Sequence, residues 1–202
     1  MPTHTQARLG PANVLNLDEV HAVLDACSRK TRARRAPTGE RNYALVMAMW
    51  RAGLRVNEAL SLHRGDLRLR DTPAAIRVLH GKGNRFRVVG AHSDLVAALE
   101  DWLAVAPRSP YVFCTLAGGR LSDGYVRTML RRKGQRAGVA RVHPHAFRAT
   151  LAVELARELV PMPVIRDVLG HTSIATTDAY LRRVDPRLAI EAVANRDVLA
   201  AR

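Results

Sequence analysis

Cysteine is nearly missing from this chain. Only Cys27 and Cys114 occur in 202 residues, far apart and outside any C-x-x-C pairing, so neither a disulfide framework nor a zinc site is indicated. Long apolar runs are missing too: none approaches the roughly 18 residues that span a bilayer, and the start, MPTHTQARLG, lacks the hydrophobic stretch of a signal peptide. The expected location is the cytoplasm, with no membrane partner. Acidic residues are the third shortage. Eighteen Asp and Glu face 32 Lys and Arg, giving a net charge of +14 and an isoelectric point near 11.3. An excess of that size predicts attraction to a polyanion, nucleic acid being the commonest; a merely solvated basic surface is the bland alternative.

What is present suits one globular domain: 48% hydrophobic and 25% charged residues over a length ample for a buried core. Residues 1–12 are expected to be disordered, and 13–202 to form the domain. Asn16 precedes LDEVHAVLDAC, a short helix with acidic residues in its first turn. SRKTRARRAPTGE reads as a basic loop, broken by Pro37 and Gly39, with DNA contact open to it. RNYALVMAMWRA is apolar nearly all round and predicts a buried helix ended by Gly53. Arg55 then falls in a turn before Asn57, a good cap for the next helix, and Glu58 is expected to orient that turn.

From Asp66 to Val89, DLRLR, AIRVLH and RFRVV alternate apolar and basic residues and predict strands. GKGN between the last two supplies a tight hairpin with Lys82 at its tip. Ser93 is expected to cap DLVAALEDWLAV, with Leu95, Leu99, Trp102 and Leu103 on its core face. PYVFCTLAGGR reads as an extended piece and a glycine turn. Ser122 caps DGYVRTMLRRKGQRA, the most basic helix, whose Arg127, Arg131, Arg132, Lys133 and Arg136 are candidate phosphate or groove contacts. A further helix begins near Pro144, with Phe147, Leu151, Leu155 and Leu159 as its buried stripe and Pro161 and Pro163 as its stop. MPVIRDVL is a short helix ended by Gly170, which brings His171 to an exposed corner. The tail DPRLAIEAVANRDVLAA is amphipathic and alanine-rich.

The chemistry-bearing residues gather in HPHAFRAT and LGHTSIATTDAY. His145 and Arg148 lie three apart, and Tyr180 follows His171 by nine. Imidazole, guanidinium and phenol are groups suited to a phosphodiester, and a tyrosine whose proton is shared or removed can act as a nucleophile. Tyr43 and Tyr111 sit among apolar residues and read as core, and Tyr125 opens a helix. A metal cluster of His143, His145 and His171 is the competing reading; no acidic residue or cysteine stands near them at ligand spacing. No metal and no cofactor is expected.

These stretches resemble the tyrosine recombinases, or phage-type integrases. HPHAFRAT is similar to their His-x-x-Arg box, LGHTSIATTDAY to the box that carries the nucleophilic tyrosine, AGLRVNEALSL to the upstream arginine motif, and HGKGNRFRVV to the lysine hairpin. The resemblance runs from about Leu15 to about Val184. It implies a mostly α domain of α+β class with a small antiparallel β-sheet, acting on double-stranded DNA through a 3′-phosphotyrosyl link without metal or ATP. Arg55 and Arg148 would clamp the phosphate, Lys82 protonate the leaving 5′-oxygen, His145 act as acid or base, His171 hydrogen-bond the phosphate and Tyr180 attack. A carboxy-terminal helix that docks on a neighbouring protomer is also implied, and with it a tetramer on DNA. Two departures stand out. Ala149 occupies the usual place of a second histidine, and with only about a dozen residues before the catalytic portion no counterpart of the separate amino-terminal DNA-clamping domain of most relatives is expected here, as in short invertases or a fragment. A DNA-binding regulator on the same fold and a type IB topoisomerase-like relaxation of DNA are the alternatives.

Overall fold

The computed structural model describes residues 14–28, 30–31, 34–35, 37–80 and 85–171, with positions 175, 177, 178 and 181. The expected disorder of residues 1–12, the hairpin tip with Lys82, the nucleophile candidate Tyr180 and the amphipathic tail all lie outside the described residues.

Helix α1 (Leu17–Cys27) opens on a reciprocal box: the Glu19 N–H donates to the Asn16 side chain at 2.8 Å, and the Asn16 N–H donates to the Glu19 carboxylate at 3.0 Å. Such a cap contributes about 1 kcal/mol. The next segment departs from the expected loop. It holds a two-residue antiparallel pairing of β1 (Lys30–Thr31) with β2 (Arg34–Arg35), and helix α2 (Pro37–Arg51) already starts at Pro37. Proline breaks a helix interior but suits its first turn, where no N–H is needed. From Ala44 to Trp50 every α2 side chain is buried, which makes this helix the axis of the core. Gly53, at φ +60, ends the α2 region; a Cβ there would stand 2.9 Å from Leu151.

Helix α3 (Val56–Leu60) follows, with Arg55 and not the expected Asn57 in the cap position. The reason is Glu58, whose carboxylate accepts the Arg55 N–H at 2.8 Å and so sets the first turn one step earlier. A single 3-10 turn (Arg64–Asp66) leads into β3 (Leu67–Arg68), β4 (Ala75–His80) and β5 (Arg85–Gly90), an antiparallel sheet in that order. The expected strand DLRLR shrinks to two residues because Asp66 turns back, accepting from the His63 N–H and from Arg77. Strands β4 and β5 pair from Ala75 opposite Gly90 to His80 opposite Arg85. Ile76, Val78 and Val89 face the core, while Leu79, Phe86 and Val88 face outward.

Helix α4 (Ser93–Val105) has His92, one residue before the expected Ser93, in its cap position. Leu95, Leu99 and Trp102 are buried, and the Trp102 indole donates to the Val112 carbonyl at 2.8 Å, fastening α4 to the buried extended stretch Val112, Phe113 and Cys114. Helix α5 (Asp123–Ala137) matches its expected bounds, with the Ser122 hydroxyl accepting the Tyr125 N–H and Gly138 closing it in the left-handed region. Helices α6 (Pro144–Arg157) and α7 (Met162–Leu169) follow. The α6 stripe is shorter than expected. Leu159 is 79% exposed and takes φ +58, because the Val160 N–H turns back to the Leu155 carbonyl and the Leu159 N–H to Ala156, a terminating motif that needs one left-handed residue.

Helix α2 packs against α4 and α6, α1 lies against α2 and α5, and the sheet meets α3 and α7. Thr150 on α6 exchanges hydrogen bonds with the Leu15 backbone at both N–H and carbonyl. Its neighbour Ala149 is fully buried with Val153 and Val14, so the small residue at that place is part of the packing.

Candidate functional site: an arginine-lined cleft

Residues separated by 93 positions in sequence meet at one cleft of about 260 Å³, lined by Leu54, Arg55, Glu58, Arg127, His145 and Arg148 among others. The α3 cap supplies Arg55, and α6 supplies His145 from its first turn and Arg148 from its second. Arg148 is 1% exposed. It donates to the Gly53 carbonyl that ends the α2 region and to the Leu169 carbonyl that ends α7, which fixes the plane of its guanidinium.

Arg55 donates to Glu58 at 2.8 Å and to the Gly170 carbonyl at 3.2 Å. A third arginine, Arg87 of β5, donates through Nη1 and Nη2 to the two Glu58 oxygens at 2.8 and 2.9 Å, and through Nε to the Val168 carbonyl at 3.2 Å. Three consecutive carbonyls at the end of α7 therefore each receive an arginine from a different element. Helix carboxy termini present unsatisfied carbonyls and partial negative charge, so guanidinium groups are favoured there. Within HGKGNRFRVV the motif singles out Lys82 and not Arg87. Its one sequence cue is the alternation of RFRVV, which puts it on the same face as the buried Val89.

Electrostatics follow the geometry. Burial pulls the Glu58 carboxyl up, but hydrogen bonds from Arg87 and the Arg55 backbone, with the Arg87 charge, outweigh it and hold the group at about 2. His171 lies half-buried, its Nδ1 3.0 Å from the Thr177 hydroxyl, and not at the exposed corner expected. Burial, then Arg148 and Arg55, push it down to about 4. His145, at the solvent-facing rim, is also lowered, by partial burial and then by Arg148, His143 and Arg55. Both shifts favour the neutral imidazole.

Among the basic residues expected on α5, Arg127 reaches the cleft and pairs with Asp123 at 2.7 Å. Arg131, Arg132 and Arg136 are exposed. Lys133 is turned inward instead, donating to the Ala26 carbonyl at 2.6 Å near the end of α1, because the α5 face it shares with Val126 and Leu130 packs on α1. Among the described residues, no group of three or more His, Cys, Asp or Glu is placed to hold a metal ion, and no helix is long and apolar enough to cross a membrane.

Gly170 has two reasons to be glycine. It takes φ +59, and a Cβ there would lie 2.9 Å from Arg87 Nη1. Gly170→Ala is expected to cost about 1–2 kcal/mol from the left-handed backbone alone, a fall in the melting midpoint of about 2–8 °C for a chain of this size. Thermal unfolding by circular dichroism checks it, and an unchanged midpoint would contradict this packing.

A helical domain with a small antiparallel sheet and arginines from two helices at one cleft has close structural counterparts. It superposes on XerA recombinase with a TM-score of 0.75 at 27% identity, over 91% of this chain and 65% of that one. It superposes on XerH site-specific recombinase, bound to palindromic difH substrate in a post-cleavage complex, with a TM-score of 0.73 at 26% identity, over 90% and 52%. The fold is that of the tyrosine recombinase catalytic domain. Residues 13–186 match the model of the phage integrase family, and the chain belongs to that family. Tyrosine recombinase XerC of Haemophilus ducreyi is 36% identical over 149 residues, which cover 71% of this chain and 48% of that protein. The chain spans about half the length of the curated relatives it matches.

Proposed function

We propose that this domain cleaves and rejoins double-stranded DNA at specific sites through a 3′-phosphotyrosyl intermediate, as a step in integration, excision or inversion. The observation that carries the reading is the convergence of Arg55, His145 and Arg148 on one cleft. In this reading the two arginines bind the non-bridging oxygens and stabilise the charge that grows in the transition state, without a metal. Tyr180 attacks phosphorus as its proton passes to His145, an imidazole held neutral and so able to accept it. The 5′-oxygen departs with a proton from Lys82, and His171 hydrogen-bonds the phosphate. Cleavage forms one phosphoester bond, to Tyr180, as another, to the 5′-oxygen, breaks, so the reverse attack by a 5′-hydroxyl rejoins the strand. Self-assembly on DNA, as a tetramer joined through the carboxy-terminal helix, belongs to the same proposal, as does a cytoplasmic location.

The test is a pool of nicked duplexes of randomised sequence whose short 5′-hydroxyl fragment is lost on cleavage. The protein should remain covalently attached to the 3′-phosphates of a subset of sequences after denaturation, and sequencing the attached strands reads out the site. Binding without any adduct would replace the enzyme by a DNA-binding regulator.

Binding itself should be dominated by phosphate contacts. Log K falls by about 0.9 per phosphate neutralised for each tenfold rise in salt. Replacing the exposed pair Arg131 and Arg132 by alanine should lower that slope by up to about 1.8, read by fluorescence anisotropy over a salt series. A flat affinity between low and physiological salt would remove the role of the basic excess.

A further inference from the structure

We propose that Arg87 is a positioning residue for strand cleavage: it holds Arg55 at the cleft through Glu58 and locks the end of α7 to the sheet. The inference rests on the cleavage reading above and adds to it a residue of the lysine-hairpin stretch HGKGNRFRVV to which the motif gives no role.

The geometry is specific. Strand β5 places Arg87 opposite Val78 on the core-facing side, where its side chain is 12% exposed. Its planar fork matches both Glu58 oxygens, a two-point contact that sets orientation as well as distance. The same carboxylate accepts the Arg55 backbone N–H on one oxygen and the Arg55 guanidinium on the other. Arg55 is thus aligned by a carboxylate that Arg87 aligns first.

The third contact, Nε to the Val168 carbonyl, fastens β5 to the last turn of α7. His171 lies just past that turn, and Tyr180 follows in sequence. Strand β5 is in turn joined to β4 by residues 81–84, which include Lys82. One guanidinium therefore ties together three of the four places from which the proposed catalytic groups come, α6 with His145 and Arg148 being the fourth. Gly170 fits this arrangement, because the space a side chain would need is filled by Arg87. A stability role alone is a poor account of such a cluster, since a buried ion pair rarely outperforms an apolar pair of equal volume. Holding charges in a set orientation is what an apolar pair cannot do.

The experiment measures adduct formation on the nicked duplex recovered from the pool, with DNA affinity and melting midpoint taken in parallel. R87Q should slow the adduct by about 10–100-fold, as loss of outer partners does at metal sites, with affinity nearly unchanged. Added to R55A, it should slow the adduct no further, because its effect passes through Arg55. R87K keeps the charge but not the fork, and should fall between R87Q and wild type. Should R87Q fail to fold, R87K decides. A wild-type rate in the folded variants overturns the proposal, as does a full further loss from R87Q on the R55A background; in both cases a wild-type adduct leaves the cleavage reading standing. A wild-type protein that forms no adduct removes that reading first.

Discussion

Arg148→Ala is expected to slow covalent adduct formation by about 10²–10³-fold and to lower the melting midpoint, two losses with separate causes. Removing one donor to a developing oxyanion typically costs about 2.7–4 kcal/mol, or 10²–10³ in rate, and Arg148 stands as one of only two arginines in the proposed clamp. The stability loss comes from what Arg148 does without DNA. Its guanidinium donates to the carbonyls of Gly53 and Leu169, and each buried acceptor left without a donor costs about 1–3 kcal/mol. At about 2–4 °C per kcal/mol for a chain of this size, the midpoint should fall by several degrees or more. Arg148→Lys separates the two, since an ammonium keeps the charge but cannot span both carbonyls and a phosphate in one plane. The lysine variant should still form an adduct at least tenfold slower than wild type, by the same donor-loss logic. Adduct formation at the wild-type rate in the alanine variant would remove Arg148 from the chemistry, whatever the melting curve did.

Tyr180→Phe should give the cleanest separation of chemistry from binding. The change deletes one oxygen, so no phosphotyrosyl bond can form and the adduct should vanish, while DNA affinity, set by phosphate contacts over the basic surface, should stay within about twofold. Peptide mapping of trapped wild-type protein should find the nucleotide on Tyr180. The alternatives are poorly placed. Tyr43 is half-buried, and burial, then nearby Asp94 and Asp25, push its phenol upward. The Tyr125 hydroxyl accepts a hydrogen bond from the buried Arg41. A nucleotide mapped to Tyr43, Tyr111 or Tyr125 would overturn the assignment of the motif.

Elements governed by local devices are legible in the sequence. Helix α5 can be drawn to its ends because Ser122 and Gly138 act within a turn of themselves, and α1 because Asn16 and Glu19 satisfy each other. Helix α3 shows the limit of such reasoning. Asn57 is the better cap by propensity, but Glu58 reaches back to Arg55 and moves the start. The α6 stripe misleads at Leu159 because apolar periodicity runs on after the hydrogen bonds have turned back. Among the site residues, Arg55, Glu58, His145 and Arg148 carry motif spacing, and the fold brings them to one cleft. His171 is more enclosed than its place just after Gly170 suggests, since its surroundings come from other parts of the chain. Arg87 stands in the lysine-hairpin stretch without being singled out by it: a charge in a short strand looks like surface until the register and the packing of α7 are known.

The three carbonyls that close α7 also set the charge state in which the cleft meets its ligand. Arg55, Arg87 and Arg148 bring three positive charges together, and Glu58 offsets one. The terminus of α7 contributes roughly half a negative charge, which leaves an excess of about one and a half. A phosphodiester carries one negative charge. Its arrival would bring the cluster close to neutrality, so the excess held in the folded cleft matches the charge of the group it is proposed to take.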